Sequence, residues 1–177
     1  MKKLQLFISY NHKDDDSRQE LDKWLVNLRE KGLIDEWHDG NLIPGDHLMS
    51  KISEKMDEAD IILLLLSQDY LASKSCRDEM NYALGVTQKK RVISIVLKDC
   101  TWQETGCKDL LALPKDGKPL AGWVSREEAW HSVYEGIKKV VDELQHSFEV
   151  KDEYLKELQQ VEFVTQNKTG TILSSWS

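Results

Sequence analysis

Cysteine, proline and glycine are scarce in this chain of 177 residues, with three, three and nine copies respectively. Cys76, Cys100 and Cys107 form no CxxC pair and have no histidine at zinc-ligand spacing, which argues against a disulfide framework or a zinc site. No hydrophobic run approaches the roughly 20 residues needed to cross a bilayer. The apolar stretch after Met1-Lys2-Lys3 is only about five residues, too short for a secretory leader. A basic excess is missing too. With 31 acidic and 24 basic side chains the formal charge is −7, so long-range attraction to nucleic acid or anionic lipid is not expected. The expectation is a soluble cytoplasmic chain with reduced thiols that binds neither nucleic acid nor membrane.

What is present is a 40% hydrophobic, 31% charged composition on a length sufficient for one cored domain. Leu4 to Tyr10 reads as a strand ending in the polar loop Asn11-His12-Lys13-Asp14. Leu21, Trp24, Leu25 and Leu28 then fall at i, i+3, i+4, i+7, one face of a helix that Gly32 can terminate. Leu33 to Trp37 reads as a second strand, followed by the turn-rich loop His38 to Asp46 and a helix carrying Leu48, Ile52 and Met56. Ile61 to Leu66 is six aliphatic residues without polar alternation, as in a central strand covered on both faces.

A helix beginning near Ser75, a strand from Val92 to Leu97, a weaker fifth strand around Pro119 to Trp123 and a helical stripe from Trp130 to Leu144 complete the alternation. The segment 98–118 reads as irregular or as containing a short helix. The fold class expected is α/β: a flavodoxin-like, five-stranded parallel sheet with helices on both faces. Ligands of such sheets bind beyond the carboxyl ends of the strands, where the strand order reverses.

Several nucleotide and hydrolase signatures fail on their own chemistry. No glycines form GxGxxG, and Gly40 and Gly45 have Walker spacing but are followed by Asp46-His47 in place of the phosphate-binding lysine and magnesium hydroxyl. There is no GxSxG elbow and no HExxH pair. Asp14, Asp15 and Asp16 could serve a receiver domain, but the third strand ends in Ser67-Gln68, with Asp69 displaced from the phosphoacceptor position.

The segments LFISYNHKDD, DGNLIPGD, SQDYLASKSCRDEMNYAL and PKDGKPLAGWVSREEAWHSVYEGI, in that order, resemble four motifs of bacterial TIR domains. The resemblance covers roughly residues 4 to 145. It implies an NAD+-cleaving enzyme in which NAD+ is substrate and no cofactor is required, with Glu79 as the catalytic carboxylate. By the same resemblance Ser9, Tyr10 and Asn11 line the nucleotide pocket and Asp39 and Gly40 gate it. Ser75 stands four residues before Glu79, where many NAD-cleaving relatives carry a substrate-stacking tryptophan; stacking would then come from elsewhere, with Tyr10 and Trp37 as candidates. Family members act through self-association by TIR–TIR contacts, often beside a sensor domain in antiphage or immune defence. A non-catalytic TIR–TIR interaction module is the alternative.

Residue chemistry bears on Glu79 independently. If Ser75 caps the helix, Glu79 lies in the first turn, where the helix N-terminus favours its ionised form while burial opposes it. One carboxylate can suffice for NAD+, because nicotinamide leaves as a neutral molecule and needs no acid. The carboxylate then stabilises the oxocarbenium-like charge on the ribose. The bland reading of Glu79 is a solvated surface acid; that of Ser9, Tyr10, Asn11, Asp39 and Gly40 is turn chemistry; and Trp37, Trp123 and Trp130 read as core.

Residues 1–146 are thus assigned to the TIR domain and 147–177 to a C-terminal helix and tail. Tyr154, Leu155, Leu158 and Val161 mark a short amphipathic helix there. It reads either as a last helix packed on the domain with a frayed end, or as a connector to a further domain.

Overall fold

The computed structural model describes residues 1–174. The chain divides into two compact units, Lys3–Val141 and a second formed by Met1 and Lys2 with the chain from Asp142 onward. The larger unit is built on four parallel strands, β1 (Leu4–Ser9), β2 (Ile34–Trp37), β3 (Ile61–Leu66) and β4 (Arg91–Val96), in the order β2-β1-β3-β4. Leu4 pairs with Ile34, Leu6 with Ile61, and Ile61 with Arg91.

The order reverses at β1. Right-handed crossovers therefore put α1 (Asp15–Glu30) on one face and α2 (Leu48–Glu58) with α4 (Lys74–Gly85) on the other. Packing agrees: Phe7, Ile62, Leu64 and Leu66 form one buried cluster with Met56 of α2 and with Met80 and Ala83 of α4. All six residues of β3 are buried, as its unbroken aliphatic run requires of a strand covered twice.

Three expectations are corrected. Pro119 to Trp123 is not a strand but a 3-10 turn over Leu120–Gly122, closed by Gly122 N–H on the Pro119 carbonyl at 2.8 Å. The open edge of β4 is met instead by Leu113, whose N–H donates to Ser94 O and whose carbonyl accepts from Val96 N, both at 2.8 Å. Pro114 follows and has no N–H to extend the ladder, so pairing stops after one bridge.

The helix expected from Ser75 starts one residue earlier, at Lys74. Its N-cap is Ser73, which accepts from Cys76 N–H at 3.4 Å, and a short helix α3 (Gln68–Ala72) capped by Ser67 precedes it. The C-terminal segment is not a separate short helix. It belongs to α5 (Arg126–Ser174), along which Tyr154, Leu155, Leu158 and Val161 lie exposed rather than buried. The final residues of the expected connector, 175–177, lie outside the described residues.

The three tryptophans expected in the core divide. Trp130 is buried on α5 and donates to Glu20 of α1 at 2.6 Å. Trp37 is half-buried, stacked on Phe7 with ring centroids 5.4 Å apart, and Trp123 is half-buried.

Candidate active site

Glu79 stands at the sixth position of α4, one turn beyond the cap. This follows from Ser73 rather than Ser75 closing the helix. The unpaired amides of the first turn are therefore not its neighbours, and the helix dipole, which fades within that turn, does little to hold its charge. Burial dominates instead. It pushes the Glu79 carboxyl from 4.5 up to about 7, the Ser9 hydroxyl pulls in the opposite direction, and the nearby charge of Asp39 adds to the rise.

The inner partners come from three elements. Ser9, the last residue of β1, is buried and donates its hydroxyl proton to Glu79 Oε2 in a short hydrogen bond. Tyr70 of α3, fully buried, meets the same Ser9 oxygen at 2.8 Å. Its phenol is pushed well above the ordinary tyrosine range by burial and remains neutral. A continuous chain Tyr70–Ser9–Glu79 thus links the end of β1 to α3 and α4.

An outer ring lies at the mouth. The Tyr10 hydroxyl faces the carboxylates of Asp39 and Asp15, and burial followed by those charges pushes it upward. Arg18 sits over the Tyr10 ring at 5.7 Å and binds Asp15 at 2.7 Å. His38 packs edge-on to Tyr10 at 5.8 Å, and its Nδ1 accepts from Gly40 N–H at 3.1 Å. Burial lowers the His38 imidazolium, so the neutral ring can act as that acceptor. A Cβ at Gly40 would stand 2.6 Å from His38 Cε1, so a side chain there would displace the His38 ring.

Of the residues singled out from sequence, Ser9 and Glu79 meet directly, and Asp39 and Tyr10 gather beside them. Ser75 is exposed, shares a 3.1 Å hydrogen bond with Ser73, and lines the cavity at Glu79. Asn11 is held at the turn that follows β1 and also reaches the Cys76 thiol. Its side chain caps the 3-10 turn His12–Asp14 by accepting from Lys13 N–H and donates to the Asp69 carbonyl, so it makes the turn. Neither aromatic candidate for stacking has a ring without a protein neighbour: Trp37 covers Phe7, and Tyr10 lies between Arg18 and His38.

Two groups were missed. Tyr70 sits inside a recognised segment, but its contact with Ser9 spans 61 positions and leaves no local sign. Asp14, weighed as a functional group only for a receiver reading, has a fully buried side chain; it accepts from Ser67 Oγ at 2.5 Å and pairs with Lys98 at 3.3 Å. Its position where a strand meets an acidic turn was the available signal.

The cavity against Glu79 is lined by Met49, Ile52 and Met56 of α2 and by Ser75, Asp78 and Tyr82 of α4, and encloses about 120 Å³. Sites for drug-sized ligands run to roughly 300–1,000 Å³. As it stands, this one accommodates a single ring rather than a dinucleotide. Ile43, Leu48 and Met49 on the adjoining loop and helix start are exposed. Among the described residues no group of His, Cys, Asp and Glu is arranged to hold a metal ion, and no helix is long and apolar enough to cross a membrane.

A family profile described as TIR domain matches residues 6–126. An uncharacterised protein of Sinorhizobium fredii, y4lF, is 36% identical over 137 residues, covering 76% of this chain and 42% of that protein. The match thus spans less than half of the relative's length. Among solved structures, the TIR domain of the Toll-related receptor TRR-2 from Hydra magnipapillata aligns with a TM-score of 0.48 at 15% identity, over 75% of this chain and 97% of that one. A conserved protein from Enterococcus faecalis aligns with a TM-score of 0.44 at 13% identity, over 61% and 70%.

Proposed function

The chain belongs to the TIR domain family, and on that premise we propose that it is an NAD+ glycohydrolase effector domain with Glu79 as its catalytic carboxylate. The observation that carries this reading is the setting of Glu79: a desolvated acid, gripped by a buried serine, at the carboxyl end of β1 where the strand order reverses. In the reaction the bond from the ribose anomeric carbon to the nicotinamide nitrogen breaks, and its electron pair leaves with the nitrogen, neutralising the cation. The ionised Glu79 stabilises the positive charge left on the sugar. Water adds at that carbon and loses a proton to give ADP-ribose; attack by the adenine ring instead gives a cyclic ADP-ribose.

Because the ionised form does this work, the rate should rise with pH through about 7, the pKa of the buried carboxyl. Self-association through TIR–TIR contacts is proposed as the activating event. It would supply the displacement of the loop and α2 that a dinucleotide needs beyond the 120 Å³ cavity. A role in bacterial antiphage or immune defence, a sensor domain elsewhere in a longer protein, and a cytoplasmic location belong to the same proposal.

A second reading, a non-catalytic TIR–TIR interaction module, is favoured by the small cavity and by Ser75 in the stacking position. One experiment separates them: concentrated purified protein is incubated with NAD+ and the products are identified by mass. Cleavage that is lost in Glu79→Ala supports the enzyme. Intact NAD+ at concentrations where the protein self-associates refutes it.

A further inference from the structure

We propose that Tyr70 is a positioning residue for Glu79, acting through the Ser9 hydroxyl, whose single proton it directs onto the carboxylate. The inference deepens the enzymatic reading above and rests on it for its functional meaning, but its geometry and its test do not.

The direction of the chain follows from counting protons. The Ser9 oxygen has one hydrogen and lies in contact with both Tyr70 Oη and Glu79 Oε2. An ionised Glu79 can only accept, so the Ser9 proton points to it and Tyr70 must donate to Ser9. The opposite arrangement, Ser9 donating to Tyr70, would leave the phenol proton without a partner. Tyr70 is 0% exposed, and among the described residues Ser9 is the one group with which its hydroxyl is hydrogen-bonded. A buried donor left unmade is the costly case, and burial therefore selects the order Tyr70 to Ser9 to Glu79. Two backbone devices hold the chain in register: Ser67 caps α3 by accepting from Tyr70 N–H at 3.0 Å, and Ser9 closes β1 opposite Leu64.

The consequence is electrostatic as well as geometric. A hydroxyl that itself receives a hydrogen bond is the stronger donor, and a donor fixed on the carboxylate favours its charged state. The other ionisable groups facing Glu79 are Asp39 beyond β2, Cys76, Asp78 and Tyr82 on the same helix, and Tyr70 itself; α2 contributes only Met49, Ile52, Ser53 and Met56 to the cavity. No cation among them offsets the burial, which makes the hydroxyl chain the main influence opposing it.

The test reads the Glu79 carboxyl directly, by carbon NMR titration of protein labelled at glutamate, with Glu79→Gln identifying the resonance. Tyr70→Phe removes one oxygen and keeps the ring in the core, and should raise the midpoint by about one pH unit above the wild type. Ser9→Ala should raise it at least as far, and adding Tyr70→Phe to Ser9→Ala should change nothing further. Placing 3-fluorotyrosine at position 70, a stronger donor of nearly the same shape, should lower the midpoint. An unchanged titration in Tyr70→Phe, or a shift that adds fully to that of Ser9→Ala, overturns the proposal. NAD+ turnover is measured in parallel: in Tyr70→Phe the acid limb of kcat/KM, which reports the free enzyme, should move with the NMR midpoint while KM above that midpoint stays constant. Absence of turnover alongside the expected titration shifts would refute the enzymatic reading alone, leaving the hydrogen-bond chain in place.

Discussion

Replacing Glu79 by its neutral isostere should stabilise the fold, and the gain should grow with pH. Burial raises the folded-state carboxyl from 4.5 to about 7. Between those values the native protein binds a proton that the unfolded chain has released, so stability falls as pH rises through that window and is flat above it. The full shift of 7 less 4.5 is about 2.5 units, or about 3 kcal/mol at roughly 1.36 kcal/mol per unit. Titrating both states between pH 5 and pH 8 captures about 2.5 kcal/mol of it. That is an upper value, because the carboxyl is partly open to water at the mouth of the cavity. Glu79→Gln keeps the shape and still accepts the Ser9 proton but has no charge to desolvate. Urea unfolding of wild type and variant at pH 5, 6, 7 and 8 gives the difference directly, with contributions common to both proteins cancelling. Against a typical total of about 5–15 kcal/mol the effect is easily measured. A difference that stays constant with pH, or that shrinks as pH rises, would falsify the claim that Glu79 is held in a desolvated site.

The remaining predictions test neighbouring parts of the molecule. Ser75→Trp restores a stacking surface on the cavity rim and should lower the KM for NAD+ by about tenfold, at the modest end of base–aromatic stacking; steady-state kinetics showing an unchanged KM would count against substrate passing over Ser75. Lys98→Met strips the buried Asp14 carboxylate of its cation and should cost about 2 kcal/mol, most of it recovered when Asp14→Asn is added, as chemical denaturation of the three variants would reveal. Gly136→Ala would put a methyl 2.5 Å from Leu113 Cδ1, where the Leu113 backbone is already pinned to β4. It should lower stability by about 1 kcal/mol net of alanine's better helix propensity, and thermal unfolding at a higher Tm would contradict the close contact.

Elements whose determinants are local were legible in the sequence, and those whose determinants are distant were not. The aliphatic run Ile61–Leu66 and the i, i+3, i+4, i+7 spacing of Leu21 to Leu28 carry their structure in their own pattern, and both occur as expected. The fifth strand fails for a local reason misjudged: Pro119 and Gly122 make a turn, while the edge of β4 is met by Leu113, which no periodicity marks. On the C-terminal segment the apolar spacing was visible, but spacing alone does not say whether a face is covered, and Tyr154, Leu155, Leu158 and Val161 are exposed.

For the site, the difference between Ser73 and Ser75 as cap is two residues in sequence and a reversal in electrostatics. A Glu79 in the first turn would have its charge supported by unpaired amides, whereas at the sixth helical position it depends on a serine 70 residues away. That serine in turn depends on a tyrosine 61 residues from it. Motif resemblance singles out the carboxylate, since the motif is contiguous. Its protonation near neutral pH is a property of three elements meeting at the strand ends, and it becomes readable only when the fold brings them together.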